Sequence, residues 1–530
     1  MSTSNPPSQE NDPATRSDTD HPKSATTLTG RGSPDVVNAS STDGLERSEN
    51  TGQALVTGHN LPALIPTGVF IFMGSDGIAY MGIEDENNAY ALPIGGKAAN
   101  RVLQGFAHQS GTRLKAYDVK EINEELTAYA EHSGDVRDVY YRCAPFQNGV
   151  ELDVGNGDRI RITPGKVAAI KKGSQTLFHR TSTMRSLPAP ADVGDLKLLD
   201  KYLNLHPTNA VLLIAWLSYT LAHPKISTTN FVILVLHGDQ GSGKTFLCRI
   251  IQALVDPGVV GVQTFPHNQK DLVVAAMNSH VLFYDNMRSI TPAMADKLCI
   301  AATGGHLTGR RLYTDAEQQV HRLHVALVLN GIHSFIEQPD LAQRSVPLHL
   351  LSINEKERRS ETEIFRELQA DLPMIFRGLL DLIAGILKHL PTVKVTSPER
   401  MYDFSQWLAA MEVVDGVPPG TYQSVYSGAL NEGMLDSLLE NLLGAAVMSF
   451  AEDTVDDFWT GTPTELLQEL NFRVGKRTPY SKDWPQNPIA LSKRLRSLQA
   501  GLRRQGINVE LSRGKNRKIT IVRLEGLSDE

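Results

Sequence analysis

The sequence predicts an α/β protein with a parallel β-sheet core that carries a P-loop, a small α+β domain before it, and a helical region and a winged helix after it. Three observations lead to this prediction. Apolar strand-like runs alternate with helical patterns between residues 195 and 352, which is typical of parallel α/β sheets. A glycine-rich loop pattern lies between one of these strands and the next helix. A basic segment near the C-terminus has the pattern of two helices followed by two strands.

The composition is that of a globular protein with several domains. The chain has 530 residues, of which 41% are hydrophobic and 21% charged, and its net charge is −7. Its three cysteines are widely spaced, which indicates a reducing compartment and argues against a zinc site built on cysteines. The longest apolar run, Ala210–Ala222, is too short to span a bilayer, and no apolar leader is visible at the N-terminus. We therefore expect a cytoplasmic protein without a membrane partner.

The first 185 residues divide into two predicted segments. Residues 1–55 are rich in Ser, Thr, Pro, Asp and Asn and carry few large apolar side chains, so we expect them to be disordered. Residues 56–185 have the pattern of a small α+β domain, with hairpins over Gly68–Ile83 and Val150–Ile170 and a helical pattern over Val102–Ala130. No catalytic constellation is visible in this domain.

Residues 195–352 form the predicted α/β domain. Helices over Asp195–His223 lead into the strand that precedes the glycine-rich loop. Further helices are predicted over Asp271–Met277 and Pro292–Ala302. Strands that alternate with helices indicate a parallel sheet. The predicted strands are Val232–Leu236, Val259–Phe265, His280–Asp285, Leu323–Asn330 and Val346–Leu351.

Residues 353–452 form a predicted helical region. Glu355–Leu390 has apolar positions near the helical period, and Pro373 within it is expected to break or kink the helix. A second helix is predicted to start at the Ser-Pro-Glu sequence of Ser397–Met411, where serine and proline are typical of a helix start. Leu435–Phe450 is predicted to be one further amphipathic helix.

The glycine-rich loop predicts that the protein binds a nucleoside triphosphate. Its glycines allow a tight turn and bring backbone N–H groups close to phosphate oxygens, and the following helix points the positive end of its dipole at the same anion. Lys244 can reach the β- and γ-phosphates, and the Thr245 hydroxyl can bind Mg²⁺. The flanking strand and helix disfavour the alternative, a chance match in a glycine-rich turn. The candidate nucleotide-binding residues are Gly238, Asp239, Gln240, Gly241, Ser242, Gly243, Lys244 and Thr245.

Three further residues are candidates for catalysis. Asp285 ends an apolar strand downstream of the loop, where a carboxylate can hold Mg²⁺; the alternative is a turn with Asn286. Asn330 ends a later strand, and in P-loop ATPases of the additional-strand type such an amide orients the attacking water; the alternative is an Asx turn before Gly331. Arg344 precedes the last strand and could stabilise γ-phosphate charge across a subunit interface; the alternative is a surface salt bridge.

From about residue 195 to 350 the chain resembles the helicase/ATPase domain of superfamily 3 and of primase-associated ATPases from viruses, phages and mobile elements. The motifs that carry the resemblance are GDQGSGKT, VLFYDN, ATGGHLTGRRLYTDAE, ALVLN and DLAQRSVPL. The resemblance implies an AAA+-like (ASCE) fold, ATP with Mg²⁺, and a homo-oligomeric, hexameric ring. Similar proteins carry a hairpin at the third motif that projects into the ring channel and grips DNA. By that resemblance Arg310 and Arg311 are candidates for DNA contact or for coupling to the neighbouring subunit; the alternative is a solvated turn.

The sequence departs from the family pattern at Asn286, which we keep among the catalytic-site residues. Many relatives carry an acidic residue at this position that serves as general base. Either Asp285 performs both tasks, another carboxylate is brought in, or hydrolysis is slow. Relatives often carry a primase-polymerase module ahead of the ATPase. Residues 56–185 show no acidic metal-binding pattern of that kind, so no primase activity is expected.

Residues 455–526 have the pattern of a basic winged helix. From Arg473 to Arg523 there are fourteen Lys and Arg residues against two Asp and Glu residues. This clustering favours DNA or RNA binding over a solvated basic face, because the rest of the chain is acidic. The predicted elements are helices over Pro463–Leu470 and Ile489–Arg504 and strands over Ile507–Ser512 and Lys518–Leu524. The candidate DNA contacts are Lys493, Arg494, Arg496, Arg503, Arg504, Lys515 and Arg517.

Two functions from different classes follow from these features. The first is an ATP-dependent DNA helicase or translocase of replication that acts on single-stranded or forked DNA, with a possible primase or other replication partner. The second is an ATP-switched DNA-binding initiator or loader that assembles with ATP but unwinds little, and Asn286 is its best support. A DNA-sensing ATPase of anti-phage defence is a third option.

Overall fold

The computed structural model describes most of the chain after residue 67. The described residues are 68–84, 88–266, 268–310, 318–332, 335–336, 338–354, 356, 358–454, 457–512 and 517–524. The segment 1–55, predicted to be disordered, lies outside them, and so do Arg311 and Lys515.

The N-terminal part contains two sheets and two helices. The first predicted hairpin is confirmed, since β1 (Val69–Gly74) pairs antiparallel with β2 (Ala79–Glu84). The predicted helical stretch is two helices, α1 (Lys97–Gln109) and α2 (Ala116–Ser133), because Gly111 adopts a left-handed conformation and ends the first. The second predicted hairpin belongs to an antiparallel four-stranded meander. The other strands are β3 (Asn88–Pro93), β4 (Val136–Arg137), β5 (Cys143–Phe146), β6 (Gly149–Asp153), β7 (Arg159–Thr163), β8 (Lys166–Ile170) and β9 (Ser174–His179).

The central sheet has five strands, all parallel, as the sequence predicts. Its strands are β10 (Ile233–His237), β11 (Gln263–Thr264), β12 (Val281–Met287), β15 (Ala326–Gly331) and β16 (Ser345–His349). Their order across the sheet is β11-β12-β15-β10-β16. The predicted strand Val259–Phe265 is wrong for most of its length, because Val259 and Val260 are exposed and only Gln263 and Thr264 pair with β12.

Helices cover the sheet, and one hairpin is inserted between them. A 3₁₀ helix (Leu196–Tyr202) and α3 (Pro207–Ala222) precede β10. An antiparallel hairpin of β13 (Gly305–Arg310) and β14 (Gln318–Leu323) leads into β15. The next helices are α4 (Lys244–Val255), α5 (Gln269–Met277), α6 (Pro292–Thr303) and the short α7 (Pro339–Ala342).

The helical region contains four helices within the described residues. α8 (Glu361–His389) runs through Pro373, so the helix does not break there, and the predicted alternative, a kink, stays a prediction. α9 (Tyr402–Asp415) begins later than predicted, after the Ser-Pro-Glu sequence. The predicted single helix Leu435–Phe450 spans the end of α10 (Thr421–Glu440) and most of α11 (Leu442–Glu452), which meet at a bend of 101°. No single helix of the described residues is long and apolar enough to cross a membrane; only that bent pair has the length and composition, if taken together.

The C-terminal part is a three-stranded antiparallel sheet with two helices. Its elements are β17 (Phe458–Gly461), α12 (Pro463–Arg473), a 3₁₀ turn (Thr478–Tyr480), α13 (Pro488–Arg504), β18 (Ile507–Leu511) and β19 (Ile519–Arg523). A capping box of Thr462 and Glu465 starts α12. The sequence predicts both helices and the last two strands, but β17, which pairs with β19, is an addition.

The largest apolar core joins parts of the chain that the sequence assigns to separate domains. It contains Ile162 of the meander, Trp216 of α3 and Leu380 of α8, all fully buried. The other face of the central sheet packs on α5 and α6, and a third core joins the end of α10 and α11 to the C-terminal part. The four-stranded meander therefore shares its core with the central sheet, and the described residues cluster as one unit.

Removing the charge of Asp256, which follows α4, should destabilise the protein strongly. Arg142, which is fully buried, donates from Nε and Nη2 to Asp256 Oδ1 at 3.2 and 3.1 Å. The backbone N–H groups of His280 and Val281 donate to Asp256 Oδ2 at 2.6 and 3.1 Å. Asp256→Asn leaves the guanidinium buried without its counter-charge, at an expected cost of about 3 kcal/mol in the free energy of unfolding.

The matched control for this prediction is the exposed ion pair between Asp135 and Arg137. Asp135→Asn should change the free energy of unfolding by less than about 1 kcal/mol, because exposed pairs contribute little. Urea unfolding followed by tryptophan fluorescence measures both variants. Equal midpoints for Asp256→Asn and the parent protein would contradict the prediction.

Candidate functional site

A glycine-rich loop at residues 238–243 joins the carboxyl end of β10 to the start of α4. β10 is buried along its length and has a parallel strand on either side, which fixes the start of the loop. Gly238 has a φ of 150°, and Gly243 has a φ of 87°. A Cβ atom on Gly238 would lie 2.8 Å from Ser242 Oγ and 3.1 Å from the Leu350 carbonyl oxygen. Glycine is therefore needed at both positions, for close contact at the first and for backbone conformation at both.

Lys244 is the first residue of α4 and is buried. Its Nζ donates to the carbonyl oxygens of Gly238 and Asp239, at 2.7 Å in each case. Burial lowers the pKa of Lys244, while the nearby carboxylates of Asp285 and Asp239 oppose this shift. The residue before it, Gly243, has no side chain to accept from the first-turn N–H groups of α4. The loop thus faces a cation and the positive end of a helix dipole, which is the chemistry of an anion site.

Thr245 and Asp285 place a hydroxyl and a carboxylate together beside the loop. Thr245 Oγ1 donates to Asp285 Oδ2 at 2.8 Å, which connects α4 with β12. The pairing of β12 with β15 is irregular after Tyr284, and Asn286 takes a positive φ of 57°. The backbone N–H of Asn286 donates to Asp285 Oδ1 at 2.7 Å, and its side chain is exposed. Hydroxyl and carboxylate oxygens are ligands that suit a hard divalent cation.

Asn330 lies near the carboxyl end of β15, which runs between β12 and β10. It is opposite Leu236 of β10 and is 1% exposed. Its Nδ2 lies 4.0 Å from Cys248 Sγ, and its Oδ1 has no hydrogen-bond partner among the described residues. A buried amide oxygen without a partner is costly. This oxygen is therefore a candidate contact for a ligand or a bound water.

Two residues that the sequence does not single out hold the outer side of the loop. Ser352 Oγ donates to Asp239 Oδ2 at 2.6 Å. Asn204 Nδ2 donates to the Ser242 carbonyl oxygen at 3.0 Å. Gln240, between these anchored positions, is exposed. No spacing rule links either residue to the loop, since one precedes α3 and the other follows β16.

Arg358 is a third residue beside the loop that no sequence motif singles out, and it carries a charge. A Cβ atom on Gly241 would lie 3.3 Å from Arg358 Nη2, so the guanidinium lies against the loop. Arg358 is exposed and makes no ion pair with a described residue, whereas the adjacent Arg359 is paired with Glu367. The basic pair after β16 was the available signal, but two adjacent arginines are more often a solvated turn.

Arg344 lies at the amino ends of the strands of the central sheet, whereas the glycine-rich loop lies at their carboxyl ends. It directly precedes β16, and its carbonyl oxygen accepts from the Ile233 N–H at 2.9 Å, at the amino end of β10. Its Nε is 3.2 Å from Asp340 Oδ2, and Arg400 Nη2 is 2.5 Å from the other oxygen of the same carboxylate. The structure therefore brings Asp285 and Asn330 to the loop but leaves Arg344 away from the loop of its own chain.

The predicted DNA contacts that are exposed lie mainly on α13 and beside β19. Lys493, Arg496 and Arg503 on α13 are exposed, and Arg503 donates to Asn508 Oδ1 at 3.1 Å. Arg517, shortly before β19, is also exposed. Arg310 ends β13, and the predicted contacts Arg311 and Lys515 lie outside the described residues.

Two of the predicted DNA contacts on α13 are engaged within the protein. Arg504 Nη1 donates to Glu399 Oε2 at 3.1 Å, in an ion pair whose side chains are only 22% and 12% exposed. Arg494 donates to the carbonyl oxygens of Lys482 and Asp483 in the turn before α13. Charge clustering does not distinguish such side chains from free ones, because the partners lie in other elements.

Two family models match the chain, and together they cover more than half of it. Residues 197–432 match the actinomycete integrative conjugative element replication protein model, and residues 443–528 match the AICE RepA C-terminal domain model. The first match spans the central sheet and the helical region as far as the middle of α10, and the second spans most of α11 and the C-terminal sheet with α12 and α13. The chain is thus a replication protein of a mobile element. It belongs to the actinomycete integrative conjugative element replication protein family.

Similar solved structures include forms of the NrS-1 C-terminal region. The A-form apo structure aligns with a TM-score of 0.36 and 13% identity, covering 86% of this chain and 97% of that chain. A second A-form apo structure aligns with a TM-score of 0.34 and 14% identity, covering 86% and 96%. These likenesses are distant, and the family assignment rests on the two family models alone. No curated protein matches the chain.

Proposed function

We propose that this protein is a Mg²⁺-dependent ATPase that couples ATP hydrolysis to translocation on DNA or to its unwinding. The observation that carries the proposal is that several candidate site residues meet at the carboxyl ends of the strands of the central sheet. The glycine-rich loop with Lys244, the Thr245–Asp285 pair and the buried Asn330 amide all lie there. Ligands bind open parallel α/β sheets at the carboxyl ends of their strands. Membership of a replication protein family supports DNA as the polymer on which the protein acts.

The glycine-rich loop would hold the triphosphate of ATP. Gly238 has no room for a side chain, so the backbone is uncovered at this point and its N–H groups can approach an anion. Lys244 has two loop carbonyls as partners, and its ammonium would exchange them for phosphate oxygens. The first turn of α4 adds N–H donors and a favourable dipole. This combination of strand, loop, lysine and helix supports a P-loop core.

Thr245 and Asp285 would hold the magnesium ion. Mg²⁺ binds through one or two protein oxygens, waters and substrate phosphates, and this hydroxyl–carboxylate pair fits that requirement. When bound, the ion neutralises charge on the phosphates. Asn330 Oδ1, which has no partner among the described residues, would accept from the attacking water and orient it. The amide of Asn286 cannot act as a base, so the general base is unassigned.

The C-terminal part is proposed to bind DNA as a winged helix. α12, the 3₁₀ turn and α13 precede the β18–β19 hairpin, which is the order of a helix-turn-helix followed by a wing. The exposed cations Lys493, Arg496, Arg503 and Arg517 are the proposed phosphate contacts. The hairpin of β13, which ends at Arg310, and β14 would provide a second DNA contact inside a ring of subunits, through Arg310 and Arg311.

Arg358→Ala should weaken ATP binding about tenfold, because a guanidinium beside the loop can donate to phosphate oxygens. Arg359→Ala is the matched control, since Arg359 is paired with Glu367 of α8, and it should bind ATP within about twofold of the parent. Titration with a fluorescent ATP analogue measures both. If Arg358→Ala and Arg359→Ala retain parental affinity alike, Arg358 is not a nucleotide contact.

Displacement of a strand from a forked DNA duplex, with ATP and Mg²⁺, tests the proposed function. The parent protein should unwind the fork, and Lys244→Ala should not. Equal unwinding by the two proteins would reject ATP hydrolysis at this loop as the source of movement.

The second candidate function is an ATP-switched initiator or loader, which the exposed amide of Asn286 favours because it cannot serve as general base. Under this alternative, ATP drives assembly on DNA and a slowly hydrolysed analogue does so equally well. Light scattering with ATP and with the analogue, together with the unwinding assay, separates the two functions. Assembly without unwinding identifies the initiator or loader.

A further inference from the structure

The two most exposed large hydrophobic side chains of the described residues lie close in sequence in the C-terminal part. Phe472, near the end of α12, is 89% exposed, and Tyr480, in the 3₁₀ turn that follows, is 87% exposed. A single exposed aromatic ring is ordinary, but clustered ones mark a surface that binds something. The residues around these two rings therefore indicate whether they form a binding surface and which ligand it suits.

The turn that carries Tyr480 is fixed by hydrogen bonds on both sides. Gln486 Nε2 donates to the carbonyl oxygens of Pro479 and Ser481, at 3.0 Å in each case. Arg494 of α13 donates to two further carbonyl oxygens of the same segment. Tyr480 is thus presented to water by a hydrogen-bonded scaffold, which lowers the entropy that a ligand must overcome.

The same scaffold ties the turn to the residue before Phe472. Trp484, which is 1% exposed, donates from Nε1 to Asn471 Oδ1 at 2.7 Å. The turn with Tyr480 is therefore anchored to the end of α12, where Phe472 lies. This hydrogen bond fixes the turn beside the helix end that carries Phe472; we call Phe472, Tyr480 and the turn of residues 475–487 the aromatic platform.

The charge around the aromatic platform is positive. Five exposed cations lie on the turn or on α13, and none makes an ion pair with a described residue; they are Lys476, Arg477, Lys482, Lys493 and Arg496. The only acidic side chain between Phe472 and Arg504 is Asp483. Protein–protein interfaces are depleted of lysine, whereas a polyanion requires such charge.

We propose that the aromatic platform binds single-stranded DNA by stacking Phe472 and Tyr480 on unpaired bases while the neighbouring cations contact phosphates. The proposal rests on the proposed DNA-dependent function. In a duplex the faces of the bases are covered by their neighbours, so exposed flat rings beside cations fit an unpaired strand better. Arg494 is a positioning residue in this account, because it holds the turn and its guanidinium is engaged there.

Binding of the full-length protein to fluorescein-labelled oligo(dT), followed by fluorescence anisotropy at several salt concentrations, tests the proposal. Tyr480→Ala should weaken binding about tenfold, because a stacked base is lost. Its salt dependence should match that of the parent protein, because no phosphate contact is lost. Lys482→Ala should instead lower the slope of log affinity against log salt by about one. Tyr480→Trp should restore binding.

The matched control is Tyr117→Ala, since Tyr117 is 71% exposed on α2 and lies outside the platform. It should bind oligo(dT) as the parent does. Parental affinity in both Tyr480→Ala and Phe472→Ala would overturn the proposal. An equal loss of affinity for blunt duplex DNA, or tighter binding of the parent protein to single-stranded RNA, would also overturn it. The same holds if light scattering shows that the variants lose affinity because they form a smaller oligomer. Failure of the parent protein to bind any DNA would instead reject the proposed function.

Discussion

Lys244→Ala should reduce ATP binding on the order of 100-fold or more and should abolish ATP turnover. Lys244 is buried at the start of α4, and its ammonium would supply a charged hydrogen bond to the triphosphate in a partly desolvated site. Loss of a buried charge–charge contact weakens binding more than loss of a solvated one. Titration with a fluorescent ATP analogue and a phosphate-release assay measure the two effects.

Lys97 offers a matched control for this substitution. Like Lys244, it follows glycine and is the first residue of a helix, α1, but it is exposed. Lys97→Ala should bind and turn over ATP as the parent protein does. Circular dichroism should show that Lys244→Ala retains its fold. Parental ATP affinity in Lys244→Ala would contradict the assignment of the nucleotide to this loop.

Arg344→Ala should lower ATP turnover roughly 10³-fold or more while leaving ATP affinity nearly unchanged. Arg344 lies at the amino ends of the strands, away from the glycine-rich loop at their carboxyl ends, so it cannot contact a nucleotide bound by the loop of its own chain. In a ring of subunits, Arg344 can face the nucleotide that is bound by the next subunit. A mixture of Arg344→Ala and Lys244→Ala proteins, each inactive alone, should therefore regain turnover, because some interfaces combine an intact loop with an intact arginine.

A comparison of the two arginines that contact Asp340 distinguishes catalysis across a subunit interface from a structural role of Arg344. Arg344 and Arg400 both contact the Asp340 carboxylate, so Arg400→Ala removes a comparable ion pair. Arg400→Ala should retain most of the turnover. If Arg400→Ala loses as much turnover as Arg344→Ala, or if mixing the two inactive proteins restores none, Arg344 holds the fold and does not act across an interface.

The central sheet was predictable from sequence because its signals are local. Apolar runs bounded by polar residues mark β10, β12, β15 and β16, and the glycine spacing marks the turn into α4. The predicted strand over Val259–Phe265 fails because apolar residues there face water, which depends on what the tertiary fold places beside them. The predicted helix Leu435–Phe450 fails because Asn441 accepts from the Gly444 N–H and starts a new helix in the middle of an apolar run.

The site was predictable where residues follow a motif and not where the fold alone brings them together. Lys244 starts the helix that follows β10, and Asp285 and Asn330 lie near the carboxyl ends of β12 and β15, so their meeting follows from parallel topology. Arg358 follows β16 and lies against Gly241 only because of how the chain returns after that strand. Likewise, the sequence showed the charge of Arg504 but not Glu399, its partner about one hundred residues away in the chain.

The turnover of ATP by the full-length protein, with Mg²⁺ and with or without single-stranded DNA, is the measurement that tests the central claim most directly. We expect turnover that requires Mg²⁺, rises when DNA is added, and loses that stimulation as salt is raised. A protein that neither binds nor hydrolyses ATP under any of these conditions would contradict the claim that the loop before Lys244 is a nucleotide site coupled to DNA.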